Sequence, residues 1–377
     1  MKKKSGSAAI SVFVLSLTLI FLTATIFREK GVKSFQENRA LAEMPELSFQ
    51  SLADGSYFKE LGMYFTDHFA GRSYWISAKG AIEADIGESI VNEVYISDDM
   101  LLDTEKNEIE SEEEIAEIFN EFSEAYDGTV YIAAIPSSSG VYSDKLPEYL
   151  QTYTEKEQID SLYSYLDSDI RKIDAYNILK MLNDNYIYYR SDSRWTSYGA
   201  YCVYRTVIQK LGFIPTAYDK YTIEHVSGEF RGNLYNKSQY SKNKADMLDI
   251  YTYADGAQVV SCTGYNNDGS SFEKSLYDRS YIDSNDMYRL YLGEDAPLIK
   301  LKTSVNNDRK LLVIKDDYAN CFIPFLIQHY SEIAIVSPEQ LDEGLSTLID
   351  RNDYEQTLLL FGKNGFPEAE KLNAINK

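Results

Sequence analysis

Histidine, cysteine and tryptophan are scarce in this chain of 377 residues, which holds three, three and two of them. The cysteines (Cys202, Cys262 and Cys321) are odd in number and irregularly spaced, which argues against a disulfide framework and against a cysteine zinc site. Basic residues are also few, because 37 Lys and Arg face 59 Asp and Glu, for a net charge of −22. Nucleic-acid binding is therefore excluded, since it needs clustered positive charge to neutralise phosphates.

One long apolar run is present near the start of the chain. Residues 8–27 carry no charge, and lysines at positions 2–4 precede them. About 20 such residues in a helix span about 30 Å of hydrocarbon. No small-x-small cleavage site follows the run, so an uncleaved signal-anchor is favoured over a cleaved signal peptide. The lysines before the run predict that residues 1–7 form a cytoplasmic tail and that residues 8–27 form a transmembrane signal-anchor in contact with the lipid bilayer. Residues 28–56 are then expected to form a stalk, and residues 57–377 an extracytoplasmic domain. The expected location is the cell membrane, with a single pass.

The remaining pattern predicts alternating helices and strands. Ser111 and Glu114 form a capping-box signature, and a helix is expected after them. The run 129–135 is a buried strand, followed by a small polar loop at 137–140. Three further strands are predicted at 310–315, 332–336 and 357–361. Helices are predicted between them, near 319–330 and 338–349. This alternation of strands and helices implies a parallel sheet with right-handed crossovers. Residues 220–300 are rich in Tyr, Asn, Ser and Gly and predict a loop-rich insertion.

Two segments carry a resemblance to a known family. The stretch from Tyr188 to Tyr201 reads YYRSDSRWTSYGAY, and the stretch from Leu311 to Asn320 reads LLVIKDDYAN. They resemble the signatures YYRTDHHWT-x-GAY and LLVIKDSYAN of the DHHW family, which is related to the SGNH-like alginate O-acetyltransferases. The resemblance runs from about Asn38 to Val336 and implies an α/β fold, namely an SGNH-hydrolase-like three-layer sandwich with a central parallel sheet.

The resemblance also implies a Ser-His-Asp triad, in which serine attacks an acyl carbonyl and histidine takes its proton. Only Asp192 matches a catalytic group of the family. Arg194 occupies the position of the second histidine, and Asp317 occupies the position of the serine. Arginine stays protonated near neutrality and cannot act as a base. The chain is therefore expected not to be an enzyme; if it is active, it would be an O-acetyltransferase or esterase.

Arg194 is instead predicted to bridge Asp192 and Asp317 as an ion pair, because two unpaired carboxylates would repel each other. A cation site built from Asp192, Asp316 and Asp317 is the alternative, and a replacement base at His225 is another. Neither a metal nor a cofactor is expected. Trp195, Asp316 and Tyr318 are the predicted binding residues around this position.

Three functions remain open from the sequence. The first is a membrane-anchored, catalytically degenerate relative associated with O-acetylation of cell-envelope polysaccharide. Its partners would be that polysaccharide or a membrane-bound O-acyltransferase. The second is an active acetyl esterase or O-acetyltransferase that uses unconventional residues. The third is an exported structural or interaction protein. The 32 tyrosines suit a surface that meets carbohydrate, but an exported surface also tolerates them.

Overall fold

A computed structural model describes residues 11–16, 19, 23, 25, 33–34, 39–87, 89–104, 111–151, 155–240, 242–363 and 365–377. The predicted cytoplasmic tail at 1–7 lies outside these residues, as do most of the predicted anchor at 8–27 and part of the stalk at 28–56. Within the described part of the chain, no helix is long and apolar enough to cross a bilayer. The chain forms two compact units, residues 1–92 with 236–241, and residues 93–235 with 242–377.

The smaller unit is mainly helical. Its elements are β1 (Lys33–Ser34), β2 (Arg39–Ala40), α1 (Phe49–Ala53), α2 (Ser56–His68), α3 (Arg72–Asp85) and β3 (Ile90–Val91). β1 and β2 pair antiparallel. Ser48 caps α1, because its side chain accepts a hydrogen bond from the Ser51 amide. The α2–α3 connection turns at Gly71, whose φ of 74° suits a residue without a Cβ.

The larger unit is built on an eight-stranded sheet with the order β11-β10-β12-β14-β13-β15-β6-β7. The strands of this unit are β4 (Val94–Ile96), β5 (Leu101–Asp103), β6 (Thr129–Ile135), β7 (Arg171–Lys172), β8 (Thr222–Phe230), β9 (Asp246–Thr252), β10 (Val259–Tyr265), β11 (Ser271–Glu273), β12 (Leu298–Thr303), β13 (Lys310–Lys315), β14 (Glu332–Val336) and β15 (Gln356–Gly362). The five strands from β14 to β7 pair in parallel, and β11, β10, β12 and β14 pair antiparallel.

Helices and short turns connect these strands. The α-helices are α4 (Glu112–Glu124), α5 (Ser138–Val141), α6 (Glu155–Tyr165), α7 (Ala175–Met181), α8 (Ser197–Lys210), α9 (Asn233–Ser238, at the boundary between the units), α10 (Ile323–Leu326) and α11 (Ala369–Leu372). Single 3-10 turns occupy Ser143–Lys145, Glu148–Leu150, Tyr218–Lys220, Arg279–Tyr281, Met287–Leu290, Asp317–Ala319, Pro338–Gln340, Leu345–Thr347, Arg351–Asp353 and Asn373–Asn376.

The sheet separates two buried apolar layers. Successive side chains of a strand point to opposite faces, and both faces of the central strands are covered. Tyr131 and Ala133 of β6 pack into one layer with α8, while Val130 and Ile132 pack into the other with α4. This arrangement gives helices on both sides of a mostly parallel sheet, so the predicted three-layer α/β fold is confirmed.

Several predicted elements are found where the sequence placed them. Ser111 caps α4 through the Glu114 amide at 3.2 Å, and β6, β13 and β14 have the predicted bounds. The helix predicted at 319–330 is wrong in length. Only Ile323–Leu326 is α-helical, because the segment opens with a 3-10 turn and Pro324, which lacks an amide hydrogen, lies in the first turn.

Two longer segments also differ from the prediction. A helix near 338–349 does not form, since Pro338–Gln340 and Leu345–Thr347 are separate 3-10 turns. The segment 220–300 is richer in strands than a loop-rich insertion, because β10, β11 and the start of β12 belong to the central sheet. The sequence Asn266-Asn267-Asp268-Gly269 makes the β10–β11 hairpin turn, with Gly269 at a φ of 79°. Asn, Asp and Gly favour such turns.

Candidate functional site

The second motif begins where β13 ends, at the edge of the sheet where the parallel strands have their carboxyl ends. Ligands collect at such edges in open α/β sheets. Asp316 caps the turn after the strand, because one of its oxygens accepts the Tyr318 amide at 3.0 Å and the other accepts the Gly362 amide at 2.9 Å. Burial and the adjacent Asp317 carboxylate raise the pKa of Asp316 to about 8. Both oxygens of Asp316 therefore serve the local backbone.

The first motif places Asp192 in the interior. Its side chain is 0 % exposed, and the backbone of Gly232 lies against it so closely that a Cβ there would sit 2.2 Å from the carboxylate. The carboxylate accepts hydrogen bonds from the backbone amides of Arg194 at 2.9 Å and Asn233 at 3.0 Å. These amide donors and the close glycine fix the carboxylate in one orientation.

The Arg194 side chain closes this site. Its Nε and Nη2 atoms each donate to one oxygen of Asp192 at 2.7 Å, which is the two-point geometry of a strong charge-assisted pair. Its guanidinium carbon lies 3.6 Å from the centre of the Tyr288 ring, and Nη1 is 3.6 Å from the Asp317 carboxylate. Burial alone would lower the pKa of Arg194, but Asp192 outweighs it and raises the pKa well above the ordinary value. The predicted bridge between the two carboxylates is confirmed, with Asp192 as the close partner.

Trp195 and Tyr318 join the two motifs. The Trp195 ring is fully buried and stacks on Phe322, and its Nε1 donates to the Tyr318 carbonyl at 2.7 Å. In return, the Tyr318 hydroxyl donates to the Ser193 carbonyl at 2.8 Å. Trp195 and Tyr318 were predicted as binding residues. Their polar groups form hydrogen bonds within the protein, and these bonds hold the two motif segments together.

A cluster of three charged residues lies beside Arg194, and the sequence reasoning did not assign it. The Lys315 ammonium, fully buried at the end of β13, donates to Asp295. The Ser337 hydroxyl also donates to Asp295, at 3.4 Å, and the Asp317 carboxylate lies close enough to interact with Asp295 electrostatically. Burial disfavours the ionised form of Asp295, but Lys315 overrides this and lowers its pKa to about 2. The Asp317 side chain is 55% exposed, and partial desolvation by the surrounding protein together with the Asp295 carboxylate raises its pKa to about 6. Lys315 lies within the second motif, so its position was a usable signal.

Asp295 also borders an open groove of about 520 Å³. The side chains that line it are mostly amides and carboxylates with one aromatic ring, namely Asn266, Asn267, Asp268, Phe272, Asp295, Glu339, Gln340 and Asp342, together with Ala296 and Pro297. The groove lies where β10 and β14 end and β12 begins. Asp295 therefore faces solvent through this groove, whereas the Asp317 side chain is itself 55% exposed.

The alternatives raised by the sequence find little support in the geometry. Asp192 is saturated by Arg194 and backbone amides, and Asp316 by two backbone amides, so their oxygens do not converge with those of Asp317 on a common point. Across the described ranges, no three His, Cys, Asp or Glu side chains are arranged to hold a metal ion. His225 is largely exposed and contacts Asp249 at 2.6 Å, on the β8–β9 hairpin.

The chain is similar to proteins of a known family. A family model described as DHHW protein matches residues 78–336. The chain belongs to the DHHW family. A search of the curated proteins finds no significant match.

Two solved structures, each under 25% identical, share the fold of this DHHW chain. A DHHW family protein from Eubacterium siraeum is 24% identical, with a TM-score of 0.64 over 74% of this chain and 95% of that one. Bacillus cereus PatB1 with a sulfonyl adduct is 20% identical, with a TM-score of 0.60 over 74% and 97%. The O-acetyltransferase domain of Pseudomonas putida AlgJ aligns at 11% identity and a TM-score of 0.44, over 72% and 91%.

Proposed function

We propose that this DHHW-family chain is a membrane-anchored, extracytoplasmic protein that binds a cell-envelope polysaccharide and no longer catalyses acyl transfer. The observation that carries the proposal is the buried Arg194–Asp192 pair at 2.7 Å. A triad needs a neutral imidazole that can take a proton from a hydroxyl. Here a permanently charged guanidinium fills that place, and a carboxyl group stands where the hydroxyl would be.

The interactions of Arg194 favour a structural role. Its charge is neutralised by Asp192, and its flat face rests on Tyr288 at 3.6 Å. A guanidinium held on three sides, with a side chain only 11% exposed, has little freedom to reorganise around a substrate. Loss of the base and nucleophile of a triad removes several orders of magnitude in rate. The retained scaffold is then available for binding alone.

The groove beside Asp295 supports a polysaccharide as the ligand. Amide and carboxylate side chains hydrogen-bond sugar hydroxyls, and an aromatic ring such as Phe272 packs against the apolar face of a sugar. The four carboxylates around the groove, Asp268, Asp295, Glu339 and Asp342, repel polyanions. We therefore expect neutral or amine-bearing glycans to bind better than uronate or phosphate polymers.

Acetyl-ester hydrolysis by the purified full-length chain tests the loss of catalysis. The wild type should match the buffer blank, and Asp192→Ala should change nothing. The double reversion Arg194→His with Asp317→Ser restores a base and a nucleophile beside Asp192, and it should react with a sulfonyl fluoride to give one covalent adduct by intact mass. Wild-type turnover well above the blank that Asp192→Ala abolishes would overturn the proposal.

The Asp295–Asp317 pair favours a second candidate, an active esterase or O-acetyltransferase with unconventional residues. Asp295 and Asp317 interact electrostatically and have pKa values of about 2 and about 6. Between these two pH values one carboxyl is ionised and the other is protonated, so the pair offers a base and an acid together. Ester hydrolysis that survives Asp192→Ala and is lost in both Asp295→Asn and Asp317→Asn would favour this candidate. Glycan binding without turnover would favour the first.

The anchor and its partners form the last part of the proposal. In this proposal the apolar run 8–27 anchors the chain in the bilayer, and its partner there is a membrane-bound O-acyltransferase. Flotation of the full-length chain with phosphatidylcholine vesicles, resistant to carbonate and high salt, tests the anchor. Recovery of the chain in the aqueous fraction would reject it.

A further inference from the structure

The helix α3 of the smaller unit exposes an apolar stripe. Trp75, Ile82 and Ile86 are 65%, 61% and 70% exposed. They lie at positions i, i+7 and i+11, which fall on one side of a helix, and the Ile86 amide continues the helical turn by donating to the Ile82 carbonyl at 2.9 Å. Tyr74, next to this face, is 83% exposed. Lys79, 63% exposed and 3.4 Å from Glu83, lies between Trp75 and Ile82 on this side. Exposed apolar side chains gathered on one side of a helix mark a surface that meets another apolar phase.

A contact within the same unit ties this helix to the apolar run. The Ala70 amide, in the α2–α3 turn, donates to the Thr25 hydroxyl at 3.0 Å, and Thr25 is itself buried. Thr25 belongs to the final residues of the run 8–27, which would sit at the edge of the hydrocarbon layer if the run spans a bilayer. Gly71 follows Ala70, and the Trp75 amide donates to the Gly71 carbonyl at 3.1 Å. The stripe therefore starts in the first turn of α3, directly after the residue that contacts Thr25.

We propose that α3 lies in the membrane surface, with Trp75, Ile82 and Ile86 inserted between lipid headgroups. This inference rests on the proposed anchor. The composition fits a lipid partner, because Trp and Tyr concentrate at membrane interfaces and amphipathic helices bury their apolar face about 5–10 Å deep there. Lys79 lies on the same side of the helix, where a long side chain can extend to the headgroups. Apolar burial drives the contact, since the chain carries a net charge of −22.

Tryptophan fluorescence of the full-length chain in vesicles tests this contact. The chain has two tryptophans, and Trp195 is fully buried in the larger unit. In vesicles of phosphatidylcholine brominated at the middle of the acyl chain, Trp75 emission should fall about two-fold relative to unbrominated vesicles, given the insertion depth of such helices. Trp75→Phe, which keeps only Trp195, should show no such quenching. Ile82→Lys with Ile86→Lys should reduce the quenching while the chain still floats with vesicles.

A matched control places a tryptophan on an exposed apolar position of the larger unit. Ile214 is 88% exposed, and Ile214→Trp in the Trp75→Phe chain should be quenched by aqueous iodide, which calibrates the response of an exposed tryptophan. A chain that floats but shows no Trp75 quenching overturns the inference and leaves the anchor standing. Shielding of Trp75 from both quenchers would assign the stripe to a protein partner or a second copy. A chain that does not float rejects the anchor itself.

Discussion

Replacing Arg194 with methionine should strongly destabilise the larger unit. The substitution keeps the length of the side chain and removes its charge, so the fully buried Asp192 loses two hydrogen bonds of 2.7 Å. Breaking a buried ion pair from one side costs about 3–5 kcal/mol. Asp192 keeps the backbone amides of Arg194 and Asn233 as donors. The expected loss in the free energy of unfolding is therefore at the lower end of this range, about 3 kcal/mol. For a unit of this size, that corresponds to a fall in Tm of about 6–12 °C.

Urea denaturation followed by circular dichroism measures this loss, and Arg190→Met is the matched control. Arg190 lies 3.5 Å from Asp246 and is 41% exposed. Asp246 keeps the Tyr186 and Ser191 hydroxyls as donors. Asp246 is buried, but it also keeps the backbone amides of Arg190 and Ser191, and the Arg190 guanidinium is solvent-screened. Such a screened contact contributes about 0–1 kcal/mol, so the control should lose little. If Arg194→Met costs no more than Arg190→Met, the buried pair does not stabilise the site as argued.

The double variant Asp192→Asn with Arg194→Met separates the pair from the rest of the site. Neutralising Asp192 removes the uncompensated charge, and coupled neighbours show interaction energies of about 0.5–3 kcal/mol. The double variant should therefore be more stable than the sum of the two single losses predicts. Additive losses would contradict a direct interaction between the two side chains.

Two further predictions concern pH and packing at the same site. The pKa of Asp317 is raised to about 6 in the folded state, above the unfolded value of about 3.9. Between these two pH values the folded state therefore binds a proton that the unfolded state does not. Stability should fall as the pH rises from about 4 to about 6, and Asp317→Asn should flatten this part of a Tm–pH curve; an unchanged slope would argue against it. Gly232→Ala puts a Cβ 2.2 Å from Asp192 and should cost about 1–3 kcal/mol by overpacking, measured by urea denaturation. Gly228→Ala, whose Cβ meets only Met247 at 3.7 Å, should be nearly neutral.

Local signals in the sequence predicted the core of the fold well. Ser111 and Glu114 marked the start of α4 through the hydrogen bond that they form, and the apolar runs of β6 and β13 were long enough to be recognised as buried strands. The helix predicted at 338–349 was wrong, because the apolar residues Leu341, Leu345 and Ile349 keep a helical spacing without forming a helix. Their side chains are buried in the apolar core, but the backbone around them forms two separate 3-10 turns. Spacing alone does not distinguish these two solutions.

The candidate site was predictable only where its residues share a motif. Asp192 and Arg194 are two positions apart, and Asp317 was placed beside them by the family resemblance. Tyr288 and Asp295 come from another part of the chain, and nothing in their local sequence shows which charges they meet. Such contacts are decided by the packing of distant segments, which a single sequence does not display.

The position of β6 in the sheet has a consequence for how the chain folds during synthesis. β6 pairs with β15 from Thr129 opposite Gln356 to Ile135 opposite Gly362, across more than two hundred residues of sequence. Synthesis proceeds at about 5–20 residues per second, so β15 is completed on the order of ten to forty seconds after β6. Such non-local pairing slows folding and leaves an apolar strand exposed to other copies. The strong negative charge of the chain keeps nascent copies apart through that delay.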